Sequence, residues 1–454
     1  MFKKFCVFAL LLAFCIALLP RDSQAITLSQ ADSAYNAYYK VYWNSSNNTF
    51  YLTDTKTGII DFWRYAHCWE AMMDRYELTH DTMNIRQMKQ AWTGFNNTNG
   101  MGTNWKKNNY NDDITWWILA AGRAYRLTKD TAYSNAAKMN FDWMYSTQCD
   151  TVLGGGIYWM NTEHGEKNAC INGPAICGAM ELYWITSDTG YLNKAKSLYA
   201  WERKTLWNSS SGVVADRIMV GSTSAIGGAL TYNEGTFIGA AYRLFKATRD
   251  SSYYRDAILT MNYVHDHMCN SSGGVVSNGG LTGDAAGFLV VLVHHLMYFV
   301  IDGKQNQYLS WVTLNAEAAW KNRRPSDNIV SSAWNNVPTS TVESSSCAGG
   351  VGMINLAVLA NTPTAISRPK GFVENNNPDH GVSIYQNPAQ KTLIVRSGNL
   401  PADLWYAITN AEGKDLLKGR LDGNKIDVRV LKTGVYFIKL TGKDLTVGKM
   451  FRNY

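Results

Sequence analysis

The chain has 454 residues, of which 46% are hydrophobic and 17% charged, with a formal net charge of +7. That length allows more than one domain, and the apolar fraction suffices for a sizeable core. The basic excess is spread thinly, without a Lys/Arg stripe or a nucleic-acid-binding module, so the composition argues against a nucleic-acid partner. Tyr and Trp are abundant, at 26 and 16. Most of these rings are expected in the core. A few would suit the apolar C–H faces of sugars.

The N-terminus carries Lys3 and Lys4, an apolar run from Phe5 to Leu19, and Ser23-Gln24-Ala25. This is the pattern of a signal peptide over residues 1–25. The run is short for a membrane span, and the bulky Phe14 before Cys15 disfavours a lipoprotein site. No later segment is expected to span a membrane, so the mature chain is read as soluble. Past the signal, six cysteines remain: Cys68, Cys149, Cys170, Cys177, Cys269 and Cys347. Their spacing leaves buried thiols and one or two disulfides equally open. There is no Cys-x-x-Cys pair and no metal cluster, so neither a metal nor a cofactor is expected.

A short unit then recurs: Thr79-His80-Asp81, Thr128-Lys129-Asp130, Thr186-Ser187-Asp188 and Thr248-Arg249-Asp250, with a degenerate copy at Ile301-Asp302. Apolar helical stretches flank each copy, such as Trp116–Tyr125 before and Tyr133–Met144 after. Thr-x-Asp reads as a helix stop followed by a new N-cap. The repeat is therefore a helix hairpin at a period of roughly 50 to 60 residues. Stacked helix pairs at this period make an open solenoid or a closed ring; with further stretches at Leu28–Val41 and Gly350–Ala360, six pairs are expected, and a closed (α/α)6 barrel with a central pocket fits. Chemistry is expected at the N-terminal ends of its inner helices.

Asn111-Asp112-Asp113-Ile114-Thr115-Trp116-Trp117 places two adjacent carboxylates just before such a helix. Glycosidic cleavage needs one protonated acid and one carboxylate at the anomeric carbon, which retaining enzymes hold about 5–5.5 Å apart. Adjacent like charges raise one pKa, and a helix N-terminus favours the ionised partner. Taken alone, the pair reads first as a helix cap. The Gly-rich loops at Gly154–Gly156 and Ser272–Gly280 lack the lysine of a phosphate-binding loop and read as rim turns.

Around Asn361 to Gly381 the helical pattern stops among prolines and Asn375-Asn376-Asn377. Beyond it, Leu393–Val395, Leu404–Thr409, Ile426–Val430 and Val435–Leu440 alternate with period two. They read as a small antiparallel β-sandwich of roughly 70 residues. The organisation is thus a signal peptide (1–25), a helical catalytic domain (26–362), a linker (363–384) and a β-sandwich (385–454).

Two resemblances sharpen this reading. Asn387-Pro388-Ala389, Leu393-Ile394-Val395, Asn410–Gly413, Ile426-Asp427-Val428 and Gly434-Val435-Tyr436-Phe437 follow the order of type IX secretion C-terminal sorting domains. That resemblance implies a secretion-machinery partner and export across a Gram-negative outer membrane, to the medium or cell surface. A carbohydrate-binding β-sandwich is the alternative.

Asp112-Asp113-x-x-Trp116-Trp117, Trp63 to Asp74, Gly155–Trp159 with Lys167–Pro174, Thr231–Phe237, and Gly283-Asp284 with Phe288 resemble glycoside hydrolase family 76. The resemblance implies an endo-α-1,6-mannanase on an (α/α)6 barrel, acting on α-1,6-mannan or manno-oligosaccharides; nothing in the sequence suggests more than a monomer. It gives Asp112 as nucleophile and Asp113 as acid/base. Asn172, Tyr232, Asn233 and Asp284 become candidates for hydroxyl contacts, and Trp63, Trp117 and Trp159 for stacking. His67, four residues after Trp63, either lines the pocket or sits satisfied in the core. Where the resemblance implies a lysine beside the Phe of the last motif, this chain has Gly287-Phe288-Leu289. A mannan transglycosylase, an inverting enzyme using Glu163, Glu234 or Asp284, and a non-catalytic mannan-binding protein are the competing readings.

Overall fold

The computed structural model describes residues 25–270, 274–277, 279–361, 383–387, 391–396, 403–410, 414–432, 434–442 and 446–453. The expected signal peptide (but for Ala25), nearly all of the expected linker, and Pro388, Ala389 and 411–413 of the tail pattern lie outside them. The chain divides into two compact units, Met1–Thr362 and Pro363–Tyr454.

The first unit holds twelve α-helices among the described residues: α1 Leu28–Tyr42, α2 Phe62–Thr79, α3 Thr82–Thr98, α4 Asn111–Thr128, α5 Thr131–Gln148, α6 Ala169–Thr186, α7 Thr189–Thr205, α8 Thr231–Thr248, α9 Ser251–His267, α10 Ala285–Leu296, α11 Leu309–Lys321 and α12 Ser344–Asn361. The even-numbered helices pack each on the next, and α12 packs back on α2, so six helices close a ring. Of the others, α3, α5, α7 and α9 each pack on the preceding ring helix, and α1 and α11 both pack on α12.

The recurring Thr-x-Asp unit makes the turn from ring helix to outer helix. Thr79, Thr128, Thr186 and Thr248 end their helices, and each hydroxyl accepts the N–H of the Asp two residues on at 3.1–3.2 Å. The middle residues His80, Lys129, Ser187 and Arg249 adopt left-handed backbone. Asp81, Asp130, Asp188 and Asp250 then cap the next helix by accepting a backbone N–H. A capping oxygen satisfies one of the free donors every helix start leaves open. The fifth copy differs: α10 runs on as a π-helical turn, Met297–Asp302, before α11.

Ala285–Asp302 is long and apolar enough to cross a membrane by length and composition, which corrects the expectation that no such segment follows the N-terminus. Its composition has another cause. As a ring helix it is enclosed on most sides, and 72% of it is buried in the protein. All six cysteines among the described residues are free thiols, so the disulfide alternative is not realised.

The ring interior is charged towards the C-terminal ends of its helices. Arg123 Nη2 on α4 donates to Asp74 Oδ1 and Glu77 Oε2 of α2, both at 2.6 Å. Its Nη1 reaches Glu70 Oε1 at 3.3 Å. Arg126 and Arg243 meet on Glu181 of α6. His294 of α10 lies between Glu70 Oε2 (3.0 Å) and Asp74 Oδ2 (3.1 Å). Five of the six ring helices are joined this way.

Among the described residues the second unit is built of strands. One antiparallel sheet has the order β7-β6-β3-β4 (Thr446–Asn453, Gly434–Thr441, Trp405–Thr409, Asp415–Arg420). The other has the order β1-β2-β5 (Ser383–Asn387, Thr392–Arg396, Lys425–Asp427). Leu393, Val395, Ile408, Ile426, Ile438 and Leu440 from both sheets share one core. The strands β1, β4 and β7 were not among those expected; β4 shows only half-buried and exposed positions.

Candidate active site

The site forms at the N-terminal end of α4. Tyr110 caps the helix with extended backbone and no side-chain bond. The strand-like run that follows the Gly-rich turn fixes it: Tyr110 bridges Met160, and Asn111 donates its N–H to Trp159 O (2.8 Å) and its Nδ2 to Tyr158 O (2.9 Å). Asp112 and Asp113 are therefore the second and third residues of the helix, not part of a turn before it as the sequence suggested. Neither is the cap. Both are half-buried.

Burial raises the Asp112 carboxyl to about 6, while the Cys170 thiol, the Trp159 indole and amides of the helix start favour its anion. Asp113 is driven well above the usual carboxylate range, first by burial and then by the Asp112 charge; Asp61 and Asp284 add to the effect. Asn108 opposes it, donating Nδ2 to Asp113 Oδ2 at 3.1 Å. Two neighbouring carboxyls with separated affinities can hold one proton between them near neutrality. Such a pair can offer an acid and a nucleophile together.

The walls come from α2, α6, α8 and α10. Trp63 of α2 is half-buried against α10, where a Cβ on Gly287 would sit 2.4 Å from the indole. The glycine at 287 therefore makes room for the tryptophan. Trp159 is half-buried, and its ring lies 5.2 Å from that of the exposed Tyr110. Tyr232 of α8 packs on Phe288 at 4.4 Å and faces Cys170, Asp216, Asp112 and Asp284. Asp284, the residue before α10, is exposed.

Four of the expected contact residues are placed elsewhere. Trp117 is fully buried, stacked on Phe95 with centroids 3.5 Å apart, and is core. Asn172 is also fully buried; its amide accepts from Ile157 N–H and donates to the Ile157 and Asn168 carbonyls, bracing the loop that carries Trp159. Asn233 is buried and donates to Asp216 Oδ1 at 3.3 Å. His67 is buried beneath the site, 3.2 Å from Glu70, and burial lowers its pKa so that it stays neutral. The family resemblance, and for His67 helical spacing, singled these residues out, but neither gives the depth of a side chain on its ring helix. Conversely, Asp61, Asn108, Tyr110, Cys170 and Asp216 face the site and were not singled out. The Asn-rich run Asn108-Asn109-Tyr110-Asn111 was a usable signal for two of them. Asp216 had none, since only the fold brings it to Tyr232. Glu234 is buried and accepts from Val214 N–H, which corrects its candidacy as an inverting partner.

Among the described residues, His67, Glu70 and His294 bring metal-ligand atoms within 4.8 Å of one another. The positive charge these carboxylates need is already present. Arg123 bonds them, and they raise the His294 pKa to about 9 against the cost of its burial, so it is cationic at neutral pH.

Residues 26–366 match the profile of Glycosyl hydrolase family 76, and residues 383–451 that of a secretion system C-terminal sorting domain. The helical unit is similar to the α-1,6-mannanase of Salegentibacter sp., with 33% identity and a TM-score of 0.68, covering 73% of this chain and 99% of that one. An inactive variant of that enzyme, with two consecutive aspartates replaced by asparagine, is solved with α-1,6-mannotriose. A family 76 α-mannanase of Bacteroides thetaiotaomicron, 18% identical with a TM-score of 0.62 over 75% of this chain and 96% of its own, shares the fold. Mannan endo-1,6-α-mannosidase DCW1 of Candida glabrata is 25% identical over 222 residues, 44% of this chain. The chain spans about half (49%) of that curated relative's length.

Proposed function

The chain belongs to glycosyl hydrolase family 76, and from that premise we propose that it is a secreted, retaining endo-α-1,6-mannanase whose helical ring is an (α/α)6 barrel. Asp112 and Asp113 are the only two consecutive aspartates in the sequence. The observation that carries the proposal is their placement in the first turn of a ring helix, with both carboxyls raised by burial and Asp113 raised also by the Asp112 charge. The inactive Salegentibacter variant, altered at two consecutive aspartates, supports the same pair.

In this reading Asp113 donates its proton to the glycosidic oxygen as the bond to the anomeric carbon breaks. An Asp112 carboxylate oxygen attacks that carbon from the opposite face and forms a glycosyl ester. Asp113, now ionised, takes a proton from water, whose oxygen displaces Asp112 and restores the starting configuration. Tyr232 and Asp284 contact sugar hydroxyls, while Trp63 and Trp159 stack on rings. Asn172 and Asn233 act indirectly, holding the Trp159 loop and Asp216. The sorting domain directs export to the surface or medium, after a signal peptide (1–25) and with a linker (363–384) between the catalytic domain (26–362) and the β-sandwich (385–454).

Digestion of debranched α-1,6-mannan tests the reading. Wild type is expected to release short α-1,6-manno-oligosaccharides, first seen by NMR in the α configuration, and Asp112→Ala and Asp113→Ala to release none. Binding without cleavage by the wild type, or first products in the β configuration, would rule it out.

A further inference from the structure

Arg64 is buried near the start of α2, yet it reaches across the ring mouth. Its Nε donates to Asp61, the α2 cap, at 2.7 Å, and its Nη1 donates to Gly283 O at 2.8 Å. Nη1 also pairs with Glu343, which is 8% exposed and immediately precedes α12. Glu343 Oε2 in turn accepts the Gly283 N–H at 3.0 Å, and its own N–H donates to Leu281 O at 2.9 Å. Thus the carbonyl of Gly283 is held by the cation and its amide by the anion of one ion pair. Gly283 has φ +66°, a conformation disfavoured for other residues. The next residue is Asp284, which opens α10 at the mouth.

We propose that the Arg64–Glu343 pair is a positioning device that fixes Asp284, by way of Gly283, and Asp61, by direct bonding, opposite the Asp112–Asp113 pair. Neither Arg64 nor Glu343 touches the sugar. The pair joins the starts of α2, α10 and α12, so one ion pair sets the spacing between two carboxylates and the acid they face. Those carboxylates help keep the Asp113 proton on at neutral pH. Loosening the device would let the exposed Asp284 move away from Asp113, where more water lies between the two and screens its charge. The inference rests on the mannanase reading, with Asp113 as the acid.

The test is the pH dependence of kcat and KM on an α-1,6-manno-oligosaccharide for wild type, Glu343→Ala, Glu343→Gln and Arg64→Lys, with Tm measured for each. Glu343→Ala is expected to lower kcat by ~10-fold or more, since small misplacements near reacting groups are costly. It should also move the basic limb of the profile down by about half a unit or more, as a nearby negative charge is withdrawn. Glu343→Gln, which can still accept the Gly283 N–H, should lie between, and Arg64→Lys should shift the limb in the same direction as Glu343→Ala. Folded variants with lowered Tm but a wild-type basic limb and kcat would overturn the proposal. Should Glu343→Ala not fold, the same reading of Arg64→Lys and Glu343→Gln decides it. An inactive wild type would instead defeat the mannanase reading itself.

Discussion

At the scale of single residues, the pair that suits chemistry is unfavourable for folding. Asp112, raised to about 6, keeps its proton in the fold at pH values where the unfolded chain has released it, and Asp113, also raised, does the same. The fold therefore loses stability as pH rises through this interval, and above it the ionised carboxylate is a burden. Asp112→Asn and Asp113→Asn are expected to raise Tm by a few degrees at pH 7.5 and to lose that advantage below pH 4, as scanning calorimetry would reveal. An equal Tm at both pH values would mean that the pair is not strained by its own charge. The Asp-Asp doublet alone read first as a helix cap, because two carboxylates before an amphipathic stretch suit both roles; the ordered motifs around it turned the reading towards chemistry. Asn172 and Trp117 were misread for a physical reason. A polar or aromatic residue near a motif looks the same whether it faces a ligand or braces the loop behind it.

At the scale of elements, Thr-x-Asp was readable because capping is local: Thr128, Lys129 and Asp130 make their bonds within a few residues of one another. Asp130→Ala should cost about 1 kcal/mol of stability. Lys129→Gly, relieving a left-handed residue, should add up to about 1 kcal/mol. Denaturant unfolding checks both, and a stabilised Asp130→Ala would refute the capping account. The charged network inside the ring was not readable. Glu70, Asp74 and Arg123 are far apart in sequence or scattered along helices, and each alone resembles a solvated face. Arg123→Leu leaves Glu70 and Asp74 buried without their cation and should cost about 3–5 kcal/mol. His294 is raised from its ordinary value to about 9, so its stabilisation is complete below about pH 6.5 and is lost as pH rises through about 9. Wild type should lose more stability than His294→Gln between pH 7 and 9.5. Parallel losses would show that His294 is uncharged in the fold.

At the scale of the whole molecule, the two units have separate hydrophobic cores. The division was legible from the change of period, 3.6 to 2, and from the prolines between. A chain ending at residue 362 is expected to cleave α-1,6-mannan with the kcat of the full chain but to remain cell-associated, as assays of medium and cell fractions would detect. Undiminished activity in the medium from that chain would remove the export role of the tail. The closed ring was also anticipated from the number of hairpins. Which faces turn inward was not, because α10 is apolar nearly all round.

The central claim is the division of labour between Asp112 and Asp113, and chemical rescue tests it most directly. Asp112→Ala and Asp113→Ala are each incubated with azide and an α-1,6-mannobioside bearing a good aryl leaving group. The account expects Asp113→Ala to be reactivated and to yield an α-mannosyl azide, because azide replaces water in attacking the Asp112 ester. Asp112→Ala should yield no α-azide. An α-azide from Asp112→Ala, or no rescue of Asp113→Ala in a folded protein that still binds the substrate, would contradict it.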